Sequence, residues 1–119
     1  MAEHKTILVA DDDPAICDSL CILLEDEGYA VEITSNSDTL PRIQEVHPDL
    51  VLLDIWLAGE DGREVCKKLK NNPETQAIPI IMISASKNAI SAKSSGADEF
   101  LPKPFQINDL LEKIKYYTE

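Results

Sequence analysis

Ile7-Leu8-Val9-Ala10-Asp11-Asp12-Asp13-Pro14 is the stretch on which the reading of the fold turns. Together with Thr6, its apolar half shows no polar alternation, which marks a strand covered on both faces. Three carboxylates follow at once. Asp13-Pro14 is then a capping residue followed by proline, in the first-turn position where a missing amide costs nothing. Ile16, Leu20, Leu23 and Leu24 give the ensuing helix one apolar stripe, and Gly28 closes it.

Outward from this unit the pattern repeats. Tyr29 to Thr34 reads as a weaker, alternating strand. Ser37 or Asn36 caps a second helix, which tolerates Pro41 in its first turn and ends at His47-Pro48. Leu50-Val51-Leu52-Leu53 is the most apolar run and reads as the central strand. The turn Ala58-Gly59-Glu60-Asp61-Gly62 leads into a helix with Val65, Cys66 and Leu69 on one face. Pro79 to Ile83 is a fourth strand, and Lys87 to Ser94 a short helix ending near Gly96. Phe100-Leu101 is a brief fifth strand. Ile107, Leu110, Leu111 and Ile114 stripe a final helix. Five strands alternating with five helices predict an α/β fold. Right-handed crossovers make the sheet parallel and put helices on both faces.

Composition narrows the functional classes. The 119 residues suit one domain, taken as residues 1–119, and 44% hydrophobic residues argue against disorder. A net charge of −11 repels nucleic acid and anionic membrane, so no direct contact with either is expected. No apolar run approaches the roughly 18 residues of a membrane span. Met1-Ala2-Glu3-His4-Lys5 lacks the apolar core of a signal peptide. Cys17, Cys21 and Cys66 form no Cys-x-x-Cys pair, and the odd count fits a reduced, cytoplasmic protein.

In an open parallel sheet, sites form beyond the carboxyl ends of the strands. Asp11, Asp12 and Asp13 follow the first strand, Asp54 the central one, Ser84 the fourth and Lys103 the fifth. Carboxylates gathered on one rim repel each other strongly at low effective dielectric. A hard divalent cation, Mg²⁺ or Mn²⁺ in its place, and the Lys103 ammonium would balance them. A phosphoryl group attacked by Asp54 would then have its oxygens shared among the cation, Lys103, the Ser84 hydroxyl and backbone amides.

Ile7 to Asp13, Pro48-Asp49-Leu50-Val51-Leu52-Leu53-Asp54 and Gly96-Ala97-Asp98-Glu99-Phe100-Leu101-Pro102-Lys103-Pro104-Phe105 together resemble the receiver domain of bacterial response regulators in two-component systems. The resemblance runs over essentially the whole chain, with the motifs in order. It implies a flavodoxin-like (βα)5 fold with strand order 2-1-3-4-5. It also implies that a sensor histidine kinase or histidine phosphotransfer protein donates phosphate to Asp54, and that an output domain or target reads the result. Asp11 and Asp12 match the acidic pair that arranges Mg²⁺, with Asp54 and the backbone carbonyl of Trp56 as further ligands. Ser84 matches the switch hydroxyl, Phe100 the switch aromatic and Lys103 the phosphoryl-pairing lysine. A cis Lys103-Pro104 bond is implied as well. Catalysis would be limited to phosphorylation and dephosphorylation of the chain itself.

The sequence also departs from the family pattern. Ala58-Gly59 stands where a proline-glycine is usual, and Trp56 is bulky for its place. Only 19 positions separate Ser84 from Lys103, which suggests a shortened fourth helix. The last helix lacks the arginine-rich face of receivers that dimerise. Each site residue also has a plainer reading. Asp13 reads first as a helix cap, Phe100 can be core, and His4 and His47 have no metal-ligand spacing. Two other functions remain open: a receiver-like docking module that takes no phosphate, and a phosphatase with an aspartyl nucleophile. Asp11 and Asp13 have the spacing for the second, but no substrate-covering cap fits in this length. A flavin site is weaker still, because the first loop offers carboxylates where a phosphate cradle needs amides.

Overall fold

The computed structural model describes residues 4–34, 39–57, 60–84 and 95–118. The elements run β1 (Thr6–Ala10), α1 (Pro14–Asp26), β2 (Ala30–Thr34), α2 (Thr39–Val46), β3 (Leu50–Asp54), β4 (Trp56–Leu57), β5 (Glu60–Asp61), α3 (Gly62–Lys70), β6 (Ile80–Ser84), β7 (Glu99–Pro102) and α4 (Ile107–Thr118). β4 and β5 form a small antiparallel hairpin, and the other five strands make one parallel sheet in the order β2-β1-β3-β6-β7. Counted without the hairpin, that is the expected 2-1-3-4-5 arrangement.

The uninterrupted apolar runs explain the central position of β1, β3 and β6, whose alternate residues pack on opposite faces. Leu8, Val51, Leu53 and Met82 point toward Ile43 of α2 and toward Val65, Cys66 and Leu69 of α3. Ile7, Val9, Leu50, Leu52 and Ile81 point toward Cys17, Leu20 and Leu24 of α1 and toward Leu110 and Ile114 of α4. At the amino-terminal edge of the sheet, charged groups fix the strand entries. The Asp98 carboxylate accepts the Ile80 N–H and the Lys70 ammonium, each at 2.8 Å. The Asp49 carboxylate accepts the Thr6 N–H at 2.7 Å.

Several boundaries move from the sequence expectation, for reasons of pairing. β6 includes Ser84 because Asp54 lies opposite Ile83 and Ser84 opposite Pro102 in adjacent ladders. The same ladder lengthens β7 to four residues. β2 starts at Ala30, and the preceding Tyr29 directs its phenol to the Thr118 hydroxyl, 3.4 Å away. The turn expected before α3 contributes β5, which pairs with β4. The Asp13 cap holds as read, its carboxylate accepting the Ala15 N–H at 3.0 Å. Asn36, Ser37, Ala58, Gly59 and the predicted helix from Lys87 to Ser94 lie outside the described residues.

Leu52, in the central strand, is 1% exposed, so its truncation removes wholly buried apolar contact. Leu52→Ala should cost roughly 2–5 kcal/mol of unfolding free energy. Urea denaturation would register this as a lower midpoint with an unchanged slope.

Candidate functional site

Parallel pairing puts the carboxyl ends of the sheet strands on one rim, where the sequence placed its chemistry. Asp11 follows β1 directly, and Asp54 is the last residue of the neighbouring β3. Lys103 follows β7 at the edge of the sheet, and its side chain reaches back across β6. The ammonium donates to Asp11 Oδ2 at 3.0 Å and to Asp54 Oδ2 at 3.1 Å. The side chains of Asp11, Asp54 and Lys103 are only 6, 12 and 17% exposed, so this pairing is not of the weak, solvent-screened kind.

Backbone bonds set this geometry. The Lys103 N–H donates to the Ser84 carbonyl at 2.8 Å, which ties the residue after β7 to the end of β6. The Lys103-Pro104 peptide is cis, as the resemblance implied. The second Asp11 oxygen accepts the Asp13 N–H at 2.9 Å, and the Asp11 carbonyl accepts the Cys17 thiol at 3.3 Å. Burial first, and then the carboxylates around it, push the Cys17 thiol up to about 11, so it remains a donor at neutral pH. Burial alone would push the Lys103 ammonium down. Its bonds to Asp11 and Asp54 outweigh that and hold it above the ordinary lysine value.

The other predicted residues stand at different distances from this centre. Asp12 shares a pocket wall with Asp11, Cys17 and Asp18 between α1 and β2. Ser84 is fully buried at the end of β6 and meets Lys103 through its backbone. Phe100 is half-buried and packs on the face of the sheet that α2 and α3 cover. Trp56 enters through its backbone. The Gly62 N–H donates to the Ile55 carbonyl at 2.7 Å, so Trp56 and Asp61 form a pair between ladder rungs. In such a pair the carbonyls turn away from the partner strand, which leaves the Trp56 oxygen outside the hairpin ladder.

Among the described residues no three His, Cys, Asp or Glu side chains converge into a metal cage. The nearly buried Asp11 and Asp54, with the outward-turned Trp56 carbonyl, are an all-oxygen set of the kind Mg²⁺ takes alongside several retained waters, and Asp12 does not complete a three-carboxylate cage with them. Cys17 offers no thiolate to a softer metal.

Sequence reasoning missed Gly62 as anything beyond a turn residue. A Cβ built there would lie 2.2 Å from the Asp54 carbonyl oxygen. The only local signal was an Asp-Gly pair ahead of a helix, which many turns share.

A parallel five-stranded sheet with two aspartates and a lysine meeting on its carboxyl rim defines a receiver-type signalling domain. The family profile for the response regulator receiver domain matches residues 7–115, and the chain belongs to that family. It is 35% identical over 116 residues to the DNA-binding response regulator MtrA of Mycolicibacterium smegmatis, covering 94% of this chain and 50% of that protein. The chain thus spans about half the length of the curated relatives it matches. Among solved structures, a CheY-like response regulator receiver domain protein from Methanospirillum hungatei superposes with a TM-score of 0.89 at 36% identity, covering 98% of this chain and 94% of that one. A signal receiver domain of a signal transduction histidine kinase from Syntrophus aciditrophicus gives 0.88 at 28% identity, covering 96% and 89%. No helix among the described residues is long and apolar enough to cross a membrane.

Removing the ammonium leaves two facing, nearly buried carboxylates, so Lys103→Met should lose on the order of 3 kcal/mol at pH 7. Because the folded-state value is raised, the lysine's contribution is fully present below the unfolded value of about 10.4. It is lost as pH rises through the higher folded value. Urea titrations should therefore show a constant wild-type advantage from pH 7 to about 10 that shrinks above.

Proposed function

We propose that this chain, as one receiver domain over residues 1–119, takes a phosphoryl group onto Asp54 from a phosphohistidine donor. The donor would be a sensor histidine kinase or a histidine phosphotransfer protein. The observation that carries the reading is the Lys103 ammonium held between Asp11 and Asp54 at 3.0 and 3.1 Å. It places a fixed positive charge beside one carboxylate that can attack and another that can hold a cation.

An Asp54 oxygen attacks phosphorus in line with the departing imidazole. The phosphorus–nitrogen bond breaks, and its electron pair stays on the imidazole, which then takes a proton from water. Lys103 gives up part of its contact with Asp54 to pair with the incoming oxygens as a compact point charge. Asp11, Asp12, Asp54 and the Trp56 carbonyl would hold Mg²⁺, or Mn²⁺ in its place, and the cation would neutralise charge developing on the phosphoryl oxygens. Chemistry then ends on the chain itself, which makes the domain a switch rather than a turnover enzyme.

The switch reading extends to Ser84 and Phe100. A phosphoryl group on Asp54 offers an acceptor to the buried Ser84 hydroxyl. Movement at the end of β6 would let Phe100 exchange packing positions, shifting an existing equilibrium on the surface of the β6 and β7 units. The receiver surface itself, at a chain net charge of −11, would pass the signal to an output domain or target protein rather than to nucleic acid or membrane. Because relatives include both a DNA-binding regulator and a histidine-kinase receiver, the output class is set outside this domain.

Asp13 weighs against the phosphatase reading. Its carboxylate caps α1, and its N–H is bonded to Asp11, so it is not poised as an acid for a departing alcohol. The unphosphorylated docking module loses ground for another reason. A nearly buried acid pair with its lysine adds little stability over an apolar replacement of the same volume, so a pure docking surface has no need of it.

Intact-mass measurement after acetyl phosphate and Mg²⁺ should show a labile gain of one phosphate that Asp54→Asn abolishes. Phosphate retained in Asp54→Asn moves the acceptor elsewhere, and steady release from small phosphoesters restores the phosphatase. The donor must also bring its imidazole to Asp54. An apolar groove lined by Ile16, Pro104 and Phe105 borders Lys103 and suits that approach. Phe105→Ala should therefore slow transfer from the kinase about 10-fold while leaving acetyl phosphate unaffected, since burying an aromatic anchor stabilises an interface by roughly 1–3 kcal/mol.

A further inference from the structure

Glycine serves two different needs in this chain. Gly28 and Gly96 have φ of 94° and 101°, so glycine there answers a torsional demand. At Gly28 a Cβ would meet nothing within 4 Å. Gly62 shows the opposite pattern. Its φ lies outside the left-handed range, yet a Cβ there would stand 2.2 Å from the Asp54 carbonyl oxygen and 3.0 Å from Ile55 Cα. Both obstacles are backbone, so no change of rotamer relieves them. Space, not torsion, requires glycine at this position.

The contact falls on the peptide that joins the acceptor residue to the rest of its loop. Gly62 also donates its N–H to the Ile55 carbonyl at 2.7 Å, while the Ile55 N–H donates to the Ile83 carbonyl at 3.2 Å. The peptides on either side of Ile55 are thus held by the start of α3 and by β6. The start of α3 is itself anchored. Asp61 caps it by accepting the Arg63 N–H at 2.9 Å, and the Arg63 guanidinium beside Asp61 holds that carboxyl below its ordinary value. The first residue of α3 therefore works as a stop against which the end of β3 rests.

We propose that Gly62 is a positioning residue for the phosphoacceptor. By lacking a side chain it lets α3 press on the Asp54–Ile55 backbone, and so it sets the Asp54 carboxylate and the Trp56 carbonyl relative to Asp11. The inference rests on the acceptor reading of Asp54 and adds to it a residue that touches neither cation nor phosphoryl group. Any Cβ pushes the end of β3 away from α3, and both oxygens move with it.

The test compares wild type, Gly62→Ala, Gly28→Ala and Asp61→Ala as full chains. Mg²⁺ affinity is read by calorimetry, phosphorylation by intact mass with acetyl phosphate, and stability by urea. Displacement of a reacting group by about 1 Å costs up to ~100-fold, so Gly62→Ala should weaken Mg²⁺ binding by roughly 10- to 100-fold and slow phosphorylation at saturating Mg²⁺. Gly28→Ala, strained but at the opposite end of the sheet, should lose stability and keep Mg²⁺ affinity within about twofold. Asp61→Ala loosens the stop without adding bulk and should weaken Mg²⁺ several-fold. If Gly62→Ala does not fold, Asp61→Ala decides, and unchanged Mg²⁺ affinity there overturns the proposal. So does a Gly62→Ala protein that binds Mg²⁺ like wild type, or a loss equalled by Gly28→Ala. Failure of the acceptor reading looks different. Wild type would itself take no phosphate, and Gly62 would still be judged on Mg²⁺ affinity. A wild type that binds no Mg²⁺ sinks the positioning role.

Discussion

Lys103 holds apart, and holds together, two carboxylates that would otherwise repel each other in a nearly dry site. Its ammonium lies 3.0 Å from Asp11 and 3.1 Å from Asp54, and all three side chains are mostly covered. Neighbouring like charges at low dielectric drive a fold apart unless a counter-charge is supplied. Here the counter-charge comes from the residue after the edge strand, so the acid site closes only when the sheet is complete from β1 to β7. The chain carries 22 acidic residues against 11 basic ones, which makes one well-placed lysine worth more than its share of the count.

That dependence connects folding to signalling. On the proposed reading, a phosphoryl group on Asp54 would compete with Asp11 and Asp54 for the same ammonium, and so would alter the contacts that join β7 to β1 and β3. The backbone bond from Lys103 to the Ser84 carbonyl ties the same residue to the end of β6, a route by which such a change would reach that strand. The opposite end of the sheet is pinned by different charges, with Asp98 binding both Lys70 and the Ile80 N–H. One end of the sheet is therefore firmly anchored, and the other has electrostatics that a ligand can rearrange.

Much of this was legible in the residues. Unbroken apolar runs at Ile7–Ala10 and Leu50–Leu53 require cover on both faces, which local composition already dictates. Asp13-Pro14 announced a helix start, and the structure puts the cap where it was read. Strand ends were less legible, because Ser84 and Pro102 join the sheet through hydrogen bonds to neighbouring strands rather than through any preference of their own. The hairpin of β4 and β5 and the packing of Gly62 on Asp54 left almost no trace in sequence. Both depend on what lies opposite in space.

Alternation of strands and helices, burial of the sheet and the residues that follow each strand can all be read along the chain. Periodicity, capping and turn chemistry act over a few neighbouring residues, so these features are local. Folding was needed to show that one ammonium contacts Asp11 and Asp54 at 3.0 and 3.1 Å, which face of the sheet the half-buried Phe100 packs on, and that Gly62 must have no side chain. These are contact distances set by strand order, register and the packing of α3 on β3, which residue patterns along the chain do not specify.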